Sequence, residues 1–193
     1  MTLPVRPDVL DFLSTRRSSP ARLLAGPGPS RPALENLLGM AVRVPDHGKL
    51  EPWRLTVLEG AALERLAAIT RRRGKDLGHA PDKLAKDADS FENSPVVVAV
   101  TTREVPGAKV PVVEQHLSAG AVCLSLVNAA LASGWGASWL TGWMAYDRAW
   151  LHEALDLSDP DFVAGFIHIG AASQRAPERP RPDLSAITNW ITA

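Results

Sequence analysis

Two stretches of the chain group residue types that could do chemistry. Arg16, Arg17 and Ser18 close the first apolar segment. Adjacent guanidinium groups beside a hydroxyl suit a phosphate dianion, because each Arg fork meets its oxygens through charge-assisted hydrogen bonds. The same cations at the end of a helix would also complement its dipole, so the pair alone leaves both readings open. The second stretch is RVPDHGKLEPW, residues 43–53, which sets Arg43, His47 and Trp53 in a loop between a helix and a strand. Loops on a rigid scaffold carry binding groups more often than the elements they join. By itself, His47 reads equally as a ligand contact and as a loop histidine satisfied by its neighbours.

Several standard chemistries have no place here. Gly48-Lys49 and Gly74-Lys75 are isolated pairs outside any phosphate loop, and Gly134-Trp135-Gly136 follows a helix, whereas the dinucleotide fingerprint follows a strand. HEALD at 152–156 offers Asp156 where a zinc protease needs a second histidine, and it reads as a solvated helix face. Ser138 sits in no nucleophile elbow. The single cysteine, Cys123, permits no intrachain disulfide and no four-cysteine zinc site, so no metal centre is expected. RRRGK at 71–75 has no interleaved aromatic residue, and 21 basic residues balance 21 acidic ones. No nucleic-acid partner is expected.

These groups must be positioned by 193 residues, 46% of them apolar. That size predicts a single domain over 1–193, with a short arm at 1–7 and a proline-rich arm at 175–193. No basic segment followed by an apolar one opens the chain, and with one cysteine the expectation is a reduced, cytoplasmic protein. Periodicity predicts helices at 8–16, 32–42 (capped by Ser30), 61–73 (stopped by Gly74) and 147–155. Residues 74–92 read as an exposed helix or a mobile segment. Strands are predicted in WRLTVLEG, SPVVVAVTT, GWGASWLTG and DFVAGFIHIG. A sheet covered by helices follows, of the α+β or α/β class.

The most informative helix is 112–132. From Leu117 to Ala132 only Ser118, Ser125 and Asn128 are strongly polar. A membrane span needs about 20 apolar residues, and this run directly follows Glu114, Gln115 and His116, so no membrane partner is expected. A helix apolar all round must be buried all round, and a subunit interface is the economical cover. Cys123 and His168 read as packing residues, as do Trp53, Trp135 and Trp150. Trp143 reads as a neighbour of an acceptor pocket, and Trp190 as part of an arm embracing a second subunit.

Taken together, RRS at 16–18, RVPDHGKLEPWR, the SAGA of the long helix, GWGASWLTGWMAYD, GFIHIG and ERPRPD resemble the nitroreductase family in its minimal, short-chain branch, in order from Arg16 to Asp183. The resemblance implies an α+β, three-layer fold with a central mixed or antiparallel sheet flanked by helices, and an intertwined homodimer. It implies FMN held non-covalently at the dimer interface and NAD(P)H as electron donor. Carried over by position, Arg16, Arg17 and Ser18 contact the FMN phosphate and ribityl chain. Arg43 and His47 contact the flavin, reaching it across the interface, and Trp139, Leu140 and Thr141 line it. Ala129, Ala130, Leu131, Ala132, Ser133 and Gly134 match the NAD(P)H region. Arg175 and Arg179 are the candidates for a C-terminal phosphate contact. The implied activity moves a hydride from NAD(P)H through flavin N5 to nitroaromatic, quinone or related small-molecule acceptors by a ping-pong route. Reductive dehalogenation, flavin breakdown, ene reduction, or flavin binding without turnover are the alternatives. Because the flavin carries the redox step, no catalytic side chain is expected. Arg43 is the cation expected near flavin N1, where it would stabilise the reduced ring.

Overall fold

The β-branched run after Pro95 organises the fold. It forms β3 (Val96–Thr102), buried along its whole length. The structure is a computed structural model that describes residues 3–172, 174 and 176–192. β3 lies between β2 (Trp53–Glu59) and β5 (Val163–Ala172). On its other side β5 pairs with β4 (Gly136–Leu140) and, at its end, with the two-residue β1 (Leu24–Ala25). All these pairings are antiparallel. Of the mixed or antiparallel sheet implied above, the antiparallel form is the one built.

Strand alternation divides the core in two. Val97, Ala99 and Phe166 point to one face, where α3 (Ala61–Asp76), α4 (Pro81–Glu92) and α6 (Arg148–Leu155) bring Leu66, Phe91, Trp150 and Leu151. Val96, Val98, Val100, Ile167 and Ile169 point to the other, against α2 (Arg31–Ala41) and α5 (Val112–Ala132). His168 alternates away from Ile167 and Ile169 and faces Phe91 of α4. α1 (Pro7–Thr15) buries none of its residues, and a short α7 (Leu184–Ile187) lies on the C-terminal arm.

The long helix spans the predicted residues, 112–132, whereas the end of α3 changes and two other local readings are narrowed. α3 does not stop at Gly74 but runs through it to Asp76, and a side chain at Gly74 would strike Leu84 of α4 and Trp143. That glycine serves helix packing, and Gly78 (φ +74°) takes the left-handed turn instead. Residues 81–92 form an ordered helix over Ala88 and Phe91, opened by Pro81. Ser30 stands at the N-cap of α2 without a side-chain capping bond.

Candidate functional site

At the end of α1 the Arg16 N–H closes on the Phe12 carbonyl, and the chain then extends. Three residues on, the Ser19 N–H donates to the Ala137 carbonyl (2.8 Å), fixing this segment beside β4. Arg16 Nη2 donates to Ser18 Oγ (3.0 Å), while its buried Nε has no partner. Burial, then the neighbouring charges of Arg181 and Arg17, hold the Arg16 guanidinium below its ordinary pKa. Arg181 has Glu178 as its counter-ion, so it is the buried Arg16 donor that is left without an anion. Arg17 Nε donates to the Pro177 carbonyl (3.1 Å), which ties the C-terminal segment to this point. Glu178 pairs with Arg181 (2.7 Å). Of the C-terminal candidates, Arg175 lies outside the described residues and Arg179 donates its backbone N–H to Glu178. The arginine whose charge reaches Arg16 is Arg181, which the sequence reading did not single out.

β4 carries the second predicted set. Ala137 belongs to the α5 side of the core, and the indole of Trp139 packs near Gly120 and Cys123 of α5. Trp139 Nε1 donates to the Ala164 carbonyl (3.0 Å) across Gly165, where any Cβ would overlap the indole. Leu140 faces the other way. With Trp139, Thr141, Lys86, Asp87, Ser90, Phe91 and His168 it lines a cavity of about 390 Å³. A second cavity of about 620 Å³ shares Lys86, Ser90 and Leu140 with the first and reaches Pro20, Ala21 and Arg22. One groove therefore runs from Pro20 and Arg22 to the end of β4. At its floor His168 Nδ1 hydrogen-bonds Ser94 Oγ (2.8 Å), and burial pushes the imidazole down to about 4, so it is neutral at pH 7. Ser138 Oγ, in register with His168, is buried without a partner.

The third set stands apart. Asp46 accepts from the backbone N–H groups of Leu50 (3.1 Å) and Glu51 (2.9 Å), and Gly48 turns with φ +75°. This loop presents Arg43 and His47 at the surface. His47 Nδ1 pairs with Glu114 (2.7 Å), and with Leu117, Ser118 and Ala121 it lines a cavity of about 310 Å³ that does not include Trp139. At the end of α5, Ala129 and Ala130 are buried in the core, Ala132 and Ser133 are exposed, and Leu131 and Gly134 line a cavity of about 270 Å³ with Arg17 and Trp135. Arg17 thus adjoins both the arginine cluster and the predicted nicotinamide segment.

The aromatic and thiol groups divide as their surroundings dictate. Trp150 is fully buried and donates to Thr70 Oγ1 (3.0 Å), and Trp53 donates to Ser118 (3.2 Å). Trp143 donates to Asp87 (2.9 Å) behind the groove, while Trp190 is exposed. Burial pushes the Cys123 thiol up to about 12, which leaves no thiolate for redox work at neutral pH. Lys86 and Arg181 are the site cations that sequence reading missed. Nothing in the local pattern of 81–92 separates Lys86 from the solvated Lys83.

The Nitroreductase family profile matches residues 13–171. A curated protein of Escherichia coli strain K12, YdjA, named provisionally as an NAD(P)H nitroreductase, is 31% identical over 88% of this chain and 91% of its own. Among solved structures, a nitroreductase-like family protein from Bacillus cereus superposes with a TM-score of 0.80 at 21% identity, covering 99% of this chain and 98% of that one. A mutant of the FMN and NADPH-dependent nitroreductase NfnB from a Sphingopyxis strain superposes with a TM-score of 0.71 at 21% identity, covering 94% and 97%.

Proposed function

Because this chain belongs to the nitroreductase family of flavin-dependent oxidoreductases, we propose that it holds FMN non-covalently, accepts electrons from NAD(P)H and passes them to a flat electrophile such as a nitroaromatic or a quinone. We read residues 1–193 as one such unit. The observation that carries the proposal is the unpartnered, buried Arg16 Nε within the Arg16–Arg17–Arg181 cluster. A phosphate dianion would satisfy that donor and relieve the mutual repulsion of the three guanidinium groups. The two adjoining cavities between Arg22 and Thr141, of about 620 and 390 Å³, offer room for the rest of the cofactor.

In this reading Arg16, Arg17, Ser18 and Arg181 hold the phosphate end, and Leu140 and Thr141 border the ring. Trp139, anchored to the Ala164 carbonyl, keeps the end of β4 rigid. Bound flavin supplies two-electron transfer between nicotinamide and acceptor; the residues bind, orient and exclude water. Ser133 and Gly134, next to Arg17, are the proposed approach of NAD(P)H. Arg43 and His47 lie on the α5 side of the chain, so their proposed flavin contacts are made to a second copy. The exposed apolar stripe of Val113, Leu117 and Leu124 beside them supports such a homodimer.

The test is direct. The purified protein should retain flavin absorbance, and anaerobic mixing with NADPH or NADH should bleach it within the turnover time. Bleaching by neither donor would overturn the reductase reading. An Arg16→Ala variant should bind FMN about 10–100-fold more weakly, the range of a charged hydrogen bond; unchanged affinity would remove the phosphate assignment.

A further inference from the structure

Among the described residues, three non-glycine positions have left-handed backbone. Two of them, Lys49 (φ +54°) and Glu51 (φ +48°), flank Leu50 in the loop between α2 and β2. A Cβ makes that conformation unfavourable, and it persists where the surrounding bonds over-determine it. The two side chains do not offset the strain: both are exposed, and neither has a hydrogen-bond or ion-pair partner among the described residues. The offset comes from Asp46. Its half-buried carboxylate accepts from the Leu50 N–H through Oδ1 (3.1 Å) and from the Glu51 N–H through Oδ2 (2.9 Å). The ends of the loop are fixed separately, since Ser118 Oγ of α5 donates to the Pro45 carbonyl (2.8 Å) and accepts from Trp53 Nε1 (3.2 Å). Between these anchors stands His47. An ionised carboxylate only accepts, so the bond from Nδ1 to Glu114 (2.7 Å) places the proton on Nδ1 and leaves Nε2 for a ligand.

We propose that Asp46 is a positioning residue: by gripping Leu50 and Glu51 it keeps this loop in its strained shape and presents His47 to the flavin of a second copy. This rests on the FMN and homodimer reading above. Asp46 itself makes no cofactor contact and acts through His47. A turn already set in the free protein does not have to be ordered when the cofactor arrives, so the affinity keeps what that ordering would otherwise cost. Glycine would take the left-handed backbone at positions 49 and 51 without strain. With Lys49 and Glu51 there instead, the shape depends on the carboxylate.

The experiment is a double-variant cycle on the full chain, read as the dissociation constant of FMN in wild type, Asp46→Ala, His47→Ala and the two combined. Asp46→Ala should weaken binding about tenfold, the scale of a lost charge-assisted bond. Asp46→Asn, which keeps one acceptor oxygen, should fall between the two. In the His47→Ala background, Asp46→Ala should cost less than about twofold more, because the group it positions is gone. Adding Lys49→Gly and Glu51→Gly to Asp46→Ala should restore most of the lost affinity. Wild-type affinity in both Asp46 variants, a full tenfold loss in the His47→Ala background, or no rescue by the glycines would each overturn the assignment while FMN binding stands. A wild-type protein that retains no FMN would instead overturn the functional reading itself.

Discussion

The two faces of the sheet end differently. On the α3–α4–α6 face the outer surface is finished by charge. Arg73 meets Asp147 through two hydrogen bonds of 2.9 Å, Arg71 bridges Asp89 and Glu92, and Arg72 pairs with Glu153. On the α2–α5 face the core is as well packed, but α5 turns Val113, Leu117 and Leu124 outward, at 61%, 68% and 48% exposure. Their spacing of four and seven residues puts them on one stripe. Contiguous hydrocarbon of this kind marks an association surface. The contrast teaches that the α3–α4–α6 layer is covered by its own ion pairs, whereas the α5 stripe is left for the second copy proposed above.

Substitutions on the two faces should separate cleanly. The largest effect belongs to Trp150→Ala, which empties the centre of the finished face, where the indole stacks on Phe91 and meets Phe166 edge-on. It should cost about 3–5 kcal/mol of unfolding free energy, read by denaturant titration, with no direct effect on the α5 stripe. Next comes His168. Its folded pKa of about 4 lies below the ordinary value of 6.5, so between those limits the unfolded chain binds a proton that the native chain does not. Stability is therefore full above pH 6.5 and falls by about 3 kcal/mol as pH drops to 4. His168→Gln should flatten that slope; a variant as acid-sensitive as wild type would show the effect lies elsewhere.

Leu117→Glu combined with Leu124→Glu should leave the monomer's helical signal intact and weaken self-association about a hundredfold, measured by sedimentation. If the double variant assembled like wild type, the difference between the faces would have no bearing on assembly. The smallest effect is expected at Arg72→Ala. Its exposed ion pair with Glu153 contributes little in water, so the melting temperature should stay within about a degree. A large drop would mean that the charged face is held by its ion pairs and not merely solvated by them.

How much of this was legible in the sequence follows the same division. β3 and α5 were readable because β-branched or apolar residues leave few ways to be buried, and the boundaries of α5 agree residue for residue with the expectation. The site segments at 16–18, 43–53 and 139–141 were readable as motifs. Their assembly was not. The Ser19–Ala137 hydrogen bond that brings Arg16 to β4 joins residues more than a hundred positions apart, and periodicity carries no such term. Gly74 looked like a helix stop because local rules favour glycine there, yet the close approach of α4 decides its role. Lys86 and Arg181 matter through what surrounds them in space: one lines both cavities of the groove, the other adds a third charge to a pair. Local sequence describes neither condition.

The reading proposed above makes the working unit two chains with flavin between them. Sedimentation at low micromolar concentration, followed simultaneously at protein and flavin wavelengths, is the decisive measurement. One boundary near twice the chain mass should carry the flavin absorbance with it. A stable folded monomer that retains FMN would rule out the two-chain site.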